Sequence, residues 1–271
     1  MQGDRDGVGG LVRQWRQLRG LSQLALADRA EVSTRHLSFV ETGKSSPSRE
    51  MVLVLASALE VPLRERNRWL LAAGFAPVYR ERDFAAPEMG ELRRVLELVL
   101  AQHEPFPALV VDRRWQVLMA NRGAMRVLLT FAGDADVLAK SHGNGMHAIF
   151  RPDGLRHAIV NWQEVAATVL HRLRREAFDD PSPDGVAALL AELERYGPWP
   201  GPRDDDPDEP RLLIPVHLRR GSLELRFVTT IASMGTPVDL TAHELRIETY
   251  YPLDEQTRAW AHAATSLASP S

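Results

Sequence analysis

A pair of short helices predicted between Leu21 and Ser48 constrains this chain more than any other segment. Ser22 and Ser33 are each placed to cap a helix, because a serine hydroxyl can accept a hydrogen bond from a backbone N–H in the first turn. The connection between the two helices is very short. Gly43 is expected to end the second helix, since glycine adopts positive φ without strain. This pattern predicts a helix-turn-helix.

The second of these helices has a thin apolar face and a polar outer face. Leu37 and Val40 share the inward face at helical spacing. The outward residues supply hydrogen-bond donors, a guanidinium and an aromatic ring, and they are Thr34, Arg35, His36, Ser38 and Phe39. Because the major groove admits a helix and presents base edges to such groups, this helix is predicted to bind DNA.

The same segment resembles the Xre/Cro class of helix-turn-helix domains. The likeness is carried by the spacing of short motifs, namely Ser22-Gln23, Leu26-Ala27, Val32-Ser33, Val40-Glu41, Gly43-Lys44 and Pro47-Ser48. The resemblance implies that phosphates are held around Gln23, Ser33 and Lys44. It also implies that base edges are faced by Thr34, Arg35, His36 and Phe39.

Some positions within this resemblance have a second interpretation. Arg16 is expected to pair with Glu41, which would fix the first helix to the recognition helix rather than contact DNA. Gln23 is either a phosphate contact or an ordinary residue at a helix N-terminus. Phe39 stands where a polar or basic residue is usual, so it either contacts a thymine methyl group or covers a neighbouring side chain.

Charge is unevenly divided along the 271 residues, although the net charge is only −3. Residues 1–76 hold 11 of the 33 basic and 8 of the 36 acidic side chains. The basic excess therefore lies in the predicted DNA-binding domain, 1–76. It is modest, so we expect weak, salt-sensitive non-specific binding and a homodimer that spans two half-sites. Two prolines mark residues 77–87 as a linker to a second domain, 88–271.

Composition excludes several classes of protein. No uncharged apolar stretch of about 18 residues occurs, so no membrane span is expected. The absence of cysteine excludes disulfides and thiol catalysis, and with the lack of a secretory signal it favours a cytoplasmic protein. Neither a zinc or calcium motif nor a phosphate-binding glycine loop is present. We therefore expect no enzyme activity, no metal site and no cofactor.

The second domain is predicted to be α+β with an antiparallel sheet. Leu109 to Val111 and Trp115 to Met119 are expected to be strands joined by a turn, and Asn121 to cap a helix through Leu129. This succession is typical of the start of a PAS domain. Three further strand-like runs follow near the C-terminus, RLLIPVHLRR, GSLELRFVTTIASM and LTAHELRIETYYP. Helical stretches between the halves are expected to cover one face of the sheet.

An additional helix is predicted just before this sheet, in PEMGELRRVLELVLAQ. Its Met89, Leu92, Leu96 and Val99 recur at helical spacing. The helix either packs on its own domain or forms a dimer.

Over most of its length, from Leu11 to Thr257, the chain resembles the MmyB-like family of transcription regulators. The likeness is carried by STRHLSFVETGKSSPSREM, VVDRRWQVLMAN, RPDGLRHAIVNWQEVA and TTIASMGTPVDLTAHELRIETYYPLDEQT. The resemblance implies a one-component regulator whose PAS-like domain binds an apolar small molecule such as a fatty acid. The alternative is a PAS-like domain with a solid core that only mediates dimerisation.

Strand alternation suggests which side chains would line such a cavity. Phe227 and Thr229 share the apolar face of one strand, and Ile247 and Thr249 that of the next, while Glu248 is expected in solvent. The predicted ligand positions are Val117, Met119, Trp162, Phe227, Thr229, Ile247 and Thr249. A filled core is the alternative for each of them. An acidic head group would need a partner, and the candidates, among which the sequence does not choose, are His147, Arg151, Arg156 and His157.

Overall fold

A computed structural model describes residues 7–132, 136–179, 185–199, 213–235 and 239–263. The chain divides into two compact units, and the main division falls between Glu81 and Arg82, although Leu240 is assigned to the first unit. The first unit is helical and the second combines helices with an antiparallel sheet, which is the predicted fold class.

Five helices form the first unit, and their bounds are Val8–Leu18 (α1), Gln23–Arg29 (α2), Thr34–Glu41 (α3), Arg49–Ala58 (α4) and Leu63–Ala72 (α5). They enclose one apolar core. Its largest fully buried side chains are Trp15, Leu26, Leu37, Leu55, Leu59, Trp69 and Leu70. The inward face predicted for α3, with Leu37 and Val40, is confirmed.

Serine caps begin three consecutive helices of this unit. Ser22, Ser33 and Ser48 each accept a hydrogen bond from the backbone N–H three residues later, at 3.1 to 3.2 Å. Gly43 follows α3 with a φ of 69°. The predicted caps and helix end are confirmed, because they depend on local hydrogen bonds that the sequence specifies.

The predicted pair of Arg16 with Glu41 ties α1 to the recognition helix α3. Arg16 donates from Nε to Oε1 at 2.6 Å and from Nη2 to Oε2 at 3.0 Å, and Gln23 Nε2 donates to Oε2 at 2.7 Å. The Glu41 side chain is fully buried. Burial alone would raise the pKa of Glu41, but the hydrogen bonds from Arg16 and Gln23 outweigh it and hold that pKa below its ordinary value.

The second unit contains eight α-helices and two short 3-10 helices among the described residues. The α-helices are Gly90–Gln102 (α6), Arg122–Phe131 (α7), Val137–Lys140 (α8), Gly145–Phe150 (α9), Trp162–Asp179 (α10), Val186–Glu194 (α11), Leu240–Glu244 (α12) and Glu255–Ala263 (α13). Asn121 caps α7 as predicted, since its side chain accepts the Ala124 N–H at 2.9 Å.

Five antiparallel strands form the sheet, in the order β2-β1-β5-β4-β3. Their bounds are Ala108–Val111 (β1), Val117–Ala120 (β2), Val216–Arg220 (β3), Leu223–Ser233 (β4) and Arg246–Pro252 (β5).

The expectation that the second strand starts at Trp115 was wrong. Trp115 has a φ of 63° and belongs to the turn, where the Asp112 side chain accepts the N–H of Gln116 at 2.9 Å.

Helices cover both faces of the sheet centre, not one face as expected. Leu96 and Leu100 of α6 pack against Ala108, Val110 and Ile247, so this helix lies on its own domain. The opposite face is covered by α7, α9 and α10. A fully buried strand must be apolar on both sides, which explains the unbroken apolar sequence of β1.

Helix α1 approaches α3 closely at Gly9. A Cβ atom added there would lie 2.2 Å from the carbonyl oxygen of Val40. We expect Gly9→Ala to lower the free energy of unfolding by about 1–3 kcal/mol, because the helices must move apart. Gly90→Ala is the matched control, since a Cβ there meets nothing closer than 3.8 Å. Equal stability of the two variants in urea would contradict the close approach.

Removal of the Arg16 guanidinium, which pairs with Glu41, should lower the stability of the first unit. We expect Arg16→Met to destabilise the first unit by about 3 kcal/mol, because it leaves a buried carboxylate without its main partner. The measurement is hydrogen exchange of the amides of α1 to α5 in the full chain. Arg29→Met, which alters an exposed side chain of α2, should have little effect.

The pair of Arg16 with Glu41 should also make the stability of the first unit depend on pH. Because the folded-state pKa of Glu41 is lowered, its stabilising contribution is complete above the unfolded-state pKa. It is lost as the pH falls through the folded-state pKa. Arg16→Met should therefore show a weaker loss of stability on acidification than the parent chain.

Candidate nucleic-acid interface and ligand cavity

The outer face of α3 is available to a partner. Thr34 and Arg35 are exposed, His36 is half-buried, and Phe39 is 36% exposed. The Arg35 guanidinium lies 5.5 Å from the centroid of the Phe39 ring, and the Lys44 ammonium lies 6.0 Å from it. Both cations therefore lie within cation–π distance of the Phe39 ring.

The predicted phosphate contacts are also located around this helix. Lys44 is exposed, and Ser33 is exposed while its hydroxyl caps α3. The side-chain amide of Gln23 donates to Glu41, so the ion pair also fixes the start of α2. The assignment of these residues to phosphates, and of Thr34 and Arg35 to bases, stays a prediction.

A cavity of about 200 Å³ lies between the sheet and the helices of the second unit. A single buried water needs only about 15 Å³, so the space is large enough for an organic molecule. Most of the lining is apolar, with Leu109, Val111, Met125, Leu128, Val165 and Val169 among its members. Three of the predicted ligand positions line it, namely Val117, Phe227 and Thr229. Their binding of a ligand stays a prediction.

Met119 does not line the cavity, because a β-bulge reverses the alternation of β2. Val117 is opposite Val111, but Met119 is opposite Val110, so the register shifts by one residue between them. Met119 consequently packs with the cluster under α6. A bulge of this kind leaves no clear mark in a sequence.

The prediction for β5 was also wrong, because the residues expected to face the cavity lie on the opposite side of the sheet. Ile247 is opposite Val110 and packs under α6, and Thr249 Oγ1 hydrogen-bonds to Thr230 Oγ1 at 2.7 Å outside the cavity. Glu248 and Tyr250 line the cavity instead. The expectation that Glu248 lies in solvent was wrong, since it is only 7% exposed.

Trp162, the remaining predicted ligand position, belongs to an aromatic cluster. Its ring makes an edge contact with Phe150 at 5.2 Å and a tilted contact with Trp199 at 6.3 Å between centroids. It is absent from the cavity lining formed by the described residues. Its filled-core alternative is therefore the one that the structure favours.

Arg172, Glu248 and Tyr250 contribute a polar region to the cavity lining. Within the described residues, Arg172 and Glu248 are the charged side chains of the lining. Burial raises the pKa of Glu248 above its ordinary value, although the charge of Arg172 and a hydrogen bond from Tyr250 oppose it. Burial and the neighbouring Glu248 also raise the pKa of Tyr250. Sequence reasoning missed this region because strand alternation placed Glu248 outside.

The four head-group candidates from the sequence lie elsewhere. His147 contacts a carboxylate of α11 at 3.0 Å, and Arg151 pairs with Asp153 at 2.9 Å. The Arg156 guanidinium is stacked on an indole ring, and His157 is exposed. None of them belongs to the described lining of the cavity.

Throughout the described ranges, no group of three or more His, Cys, Asp or Glu side chains is arranged to hold a metal ion. Every helix in those ranges is too short or too polar to span a bilayer.

Comparison with known families gives two matches. The family described as helix-turn-helix matches residues 12–66, and the family described as MmyB-like transcription regulator ligand binding domain matches residues 92–264. A search of curated proteins gives no significant match. The second family covers more than half of the chain and includes every described element that lines the cavity. The chain is thus a DNA-binding transcription regulator with a ligand-binding domain, and it belongs to the MmyB-like transcription regulator family.

Proposed function

We propose that this chain is a one-component, cytoplasmic regulator that binds operator DNA as a homodimer. In this proposal its second unit is a PAS-like domain that binds an apolar small molecule such as a fatty acid, without catalysing a reaction. The single observation that carries the proposal is the largely apolar cavity between the sheet and helices α7, α9 and α10. A strand–turn–strand followed by the Asn121-capped helix supports the PAS-like assignment.

The competing function is a dimerisation module whose second unit senses nothing. Such a module needs no internal space, and dense packing would stabilise it. The cavity of about 200 Å³ favours the sensory function, because an empty apolar volume costs stability that a ligand would restore.

Regulation requires that the ligand distinguish two states of the protein. A small molecule shifts an equilibrium only by its difference in affinity for the two conformations. We propose that cavity occupancy changes the relation between the two DNA-binding units of the dimer, so that the fit to paired half-sites changes.

The predicted DNA contacts can be tested at Arg35 and Lys44, the two cations beside Phe39. We expect Arg35→Ala to lose about 1–3 kcal/mol of operator binding relative to random DNA, because it removes a base contact. Lys44→Ala should weaken both kinds of DNA similarly and reduce the salt slope by about one unit. The measurements are binding titrations at several salt concentrations on an operator found by in vitro selection. An equal loss on both DNAs for Arg35→Ala would exclude base recognition by this side chain.

Ligand binding is tested by extracting the purified full chain with organic solvent and identifying the retained molecules by mass spectrometry. Ala124 lines the cavity from α7, whereas Leu129 on the same helix is 61% exposed. We expect Ala124→Phe to abolish retention by filling the space, and Leu129→Phe to leave it unchanged. A parent chain that retains no small molecule and binds no added fatty acid would favour the dimerisation module.

A further inference from the structure

Arg172 is a cation with few partners at the edge of an apolar cavity. Its guanidinium lies 4.3 Å from the centroid of the Trp115 ring, and its Nε is 3.9 Å from the Glu176 carboxylate, which is beyond hydrogen-bond distance. Among the described residues, Nε is buried without a hydrogen-bond partner. A buried donor of this kind costs free energy until an acceptor reaches it.

Glu176 is already engaged by other groups. It accepts a hydrogen bond from Arg246 Nη1 at 2.9 Å and from Trp115 Nε1 at 3.3 Å. Arg172 therefore makes a 3.9 Å charge contact with Glu176, whose hydrogen bonds come from Arg246 and Trp115. An acceptor inside the cavity would supply the hydrogen bond that Arg172 Nε lacks.

Glu248 is the one carboxyl group in the described lining, and its surroundings are sparse. The titratable and charged groups that face it are Arg172 from α10 and Tyr250 from its own strand. Its neighbours on the adjacent strands, Leu109 and Ile231, are apolar. A carboxylate in such a setting is readily protonated when a second negative charge approaches.

We propose that this polar region binds the carboxylic acid head group of an apolar ligand, with Arg172 as its charge partner and Glu248 sharing one proton with it. The proposal rests on the proposed ligand-binding function and assigns the head-group site within it. Ligands with an acid head group are then preferred over neutral ones of equal length.

The proton balance follows from like-charge repulsion. In this proposal the ligand arrives as a carboxylate, and Glu248 is ionised beside Arg172 in the empty site. Two adjacent carboxylates cannot both remain ionised in a buried site, so one proton is taken up from water. The bound state contains two carboxyl groups, one shared proton and the Arg172 guanidinium. Binding of the acid is therefore coupled to the uptake of a proton. The affinity for the acid consequently rises as the pH falls through the pKa that Glu248 has in the complex.

Calorimetric titration of the delipidated full chain with decanoic acid and with decanol tests the proposal. At pH values where free decanoic acid is ionised, its affinity should rise by up to about tenfold for each unit of pH decrease. Titrations in buffers with different ionisation enthalpies should show uptake of up to about one proton for the acid and none for decanol.

Three variants separate the roles of the two charged side chains. Glu248→Gln keeps the size of the side chain and should abolish proton uptake while decanoic acid still binds. Arg172→Met should lower the preference for acid over alcohol by about ten- to a hundredfold, as expected for a lost charge-assisted hydrogen bond. Arg174→Met, at an exposed position of the same helix, is the control and should change neither property.

The outcomes are distinct. Equal affinity for decanoic acid and decanol, unaffected by Arg172→Met, would overturn the head-group site while leaving the cavity as an apolar ligand site. Proton uptake that persists in Glu248→Gln would overturn the role of Glu248. Failure of both probes to bind would contradict the proposed function itself, and the head-group site with it.

Discussion

The pairing of β1 with β5 determines what the second unit can do. It joins the beginning of that unit to its end, with Val110 opposite Ile247 and Leu109 opposite Glu248. Because side chains alternate across a strand, this register places Ile247 under α6 and Glu248 in the cavity. A slip by one residue would exchange them, so that the cavity would lose its acid and α6 would pack on a carboxylate.

The two units differ in how far the sequence predicts them. Caps at Ser22 and Ser33 and the helix end at Gly43 depend on groups a few residues apart, so local chemistry suffices. The cavity lining depends on register and on the bulge between Val117 and Met119, which are settled by packing between distant segments. The five strands occur in the predicted order along the chain, but LTAHE, expected to begin the last strand, forms α12 instead, and the assignment of faces in β2 and β5 was wrong. Arg172 was missed because it lies on a long helix whose pattern alone does not indicate a cavity.

Glu41 in the first unit and Glu248 in the second are both buried, and the contrast between them separates a structural role from a binding one. Glu41 receives hydrogen bonds from Arg16 and Gln23, so its pKa is lowered and its charge fixes three helices. Glu248 has the charge of Arg172 and one hydrogen bond from Tyr250, so burial prevails and its pKa is raised. A well-compensated buried charge stabilises one geometry. A poorly compensated one beside a cavity is a candidate for binding chemistry.

The double covering of β5 has a mechanical consequence. Successive residues of this strand face opposite sides of the sheet. Ile247 packs against the residues of α6, and Glu248 borders the cavity. Protein interiors are too densely packed to absorb a displacement on one side only. A molecule in the cavity that displaces β5 would therefore also change the packing of Leu96 and Leu100. Occupancy of the cavity would in this way reach the helix that precedes the sheet.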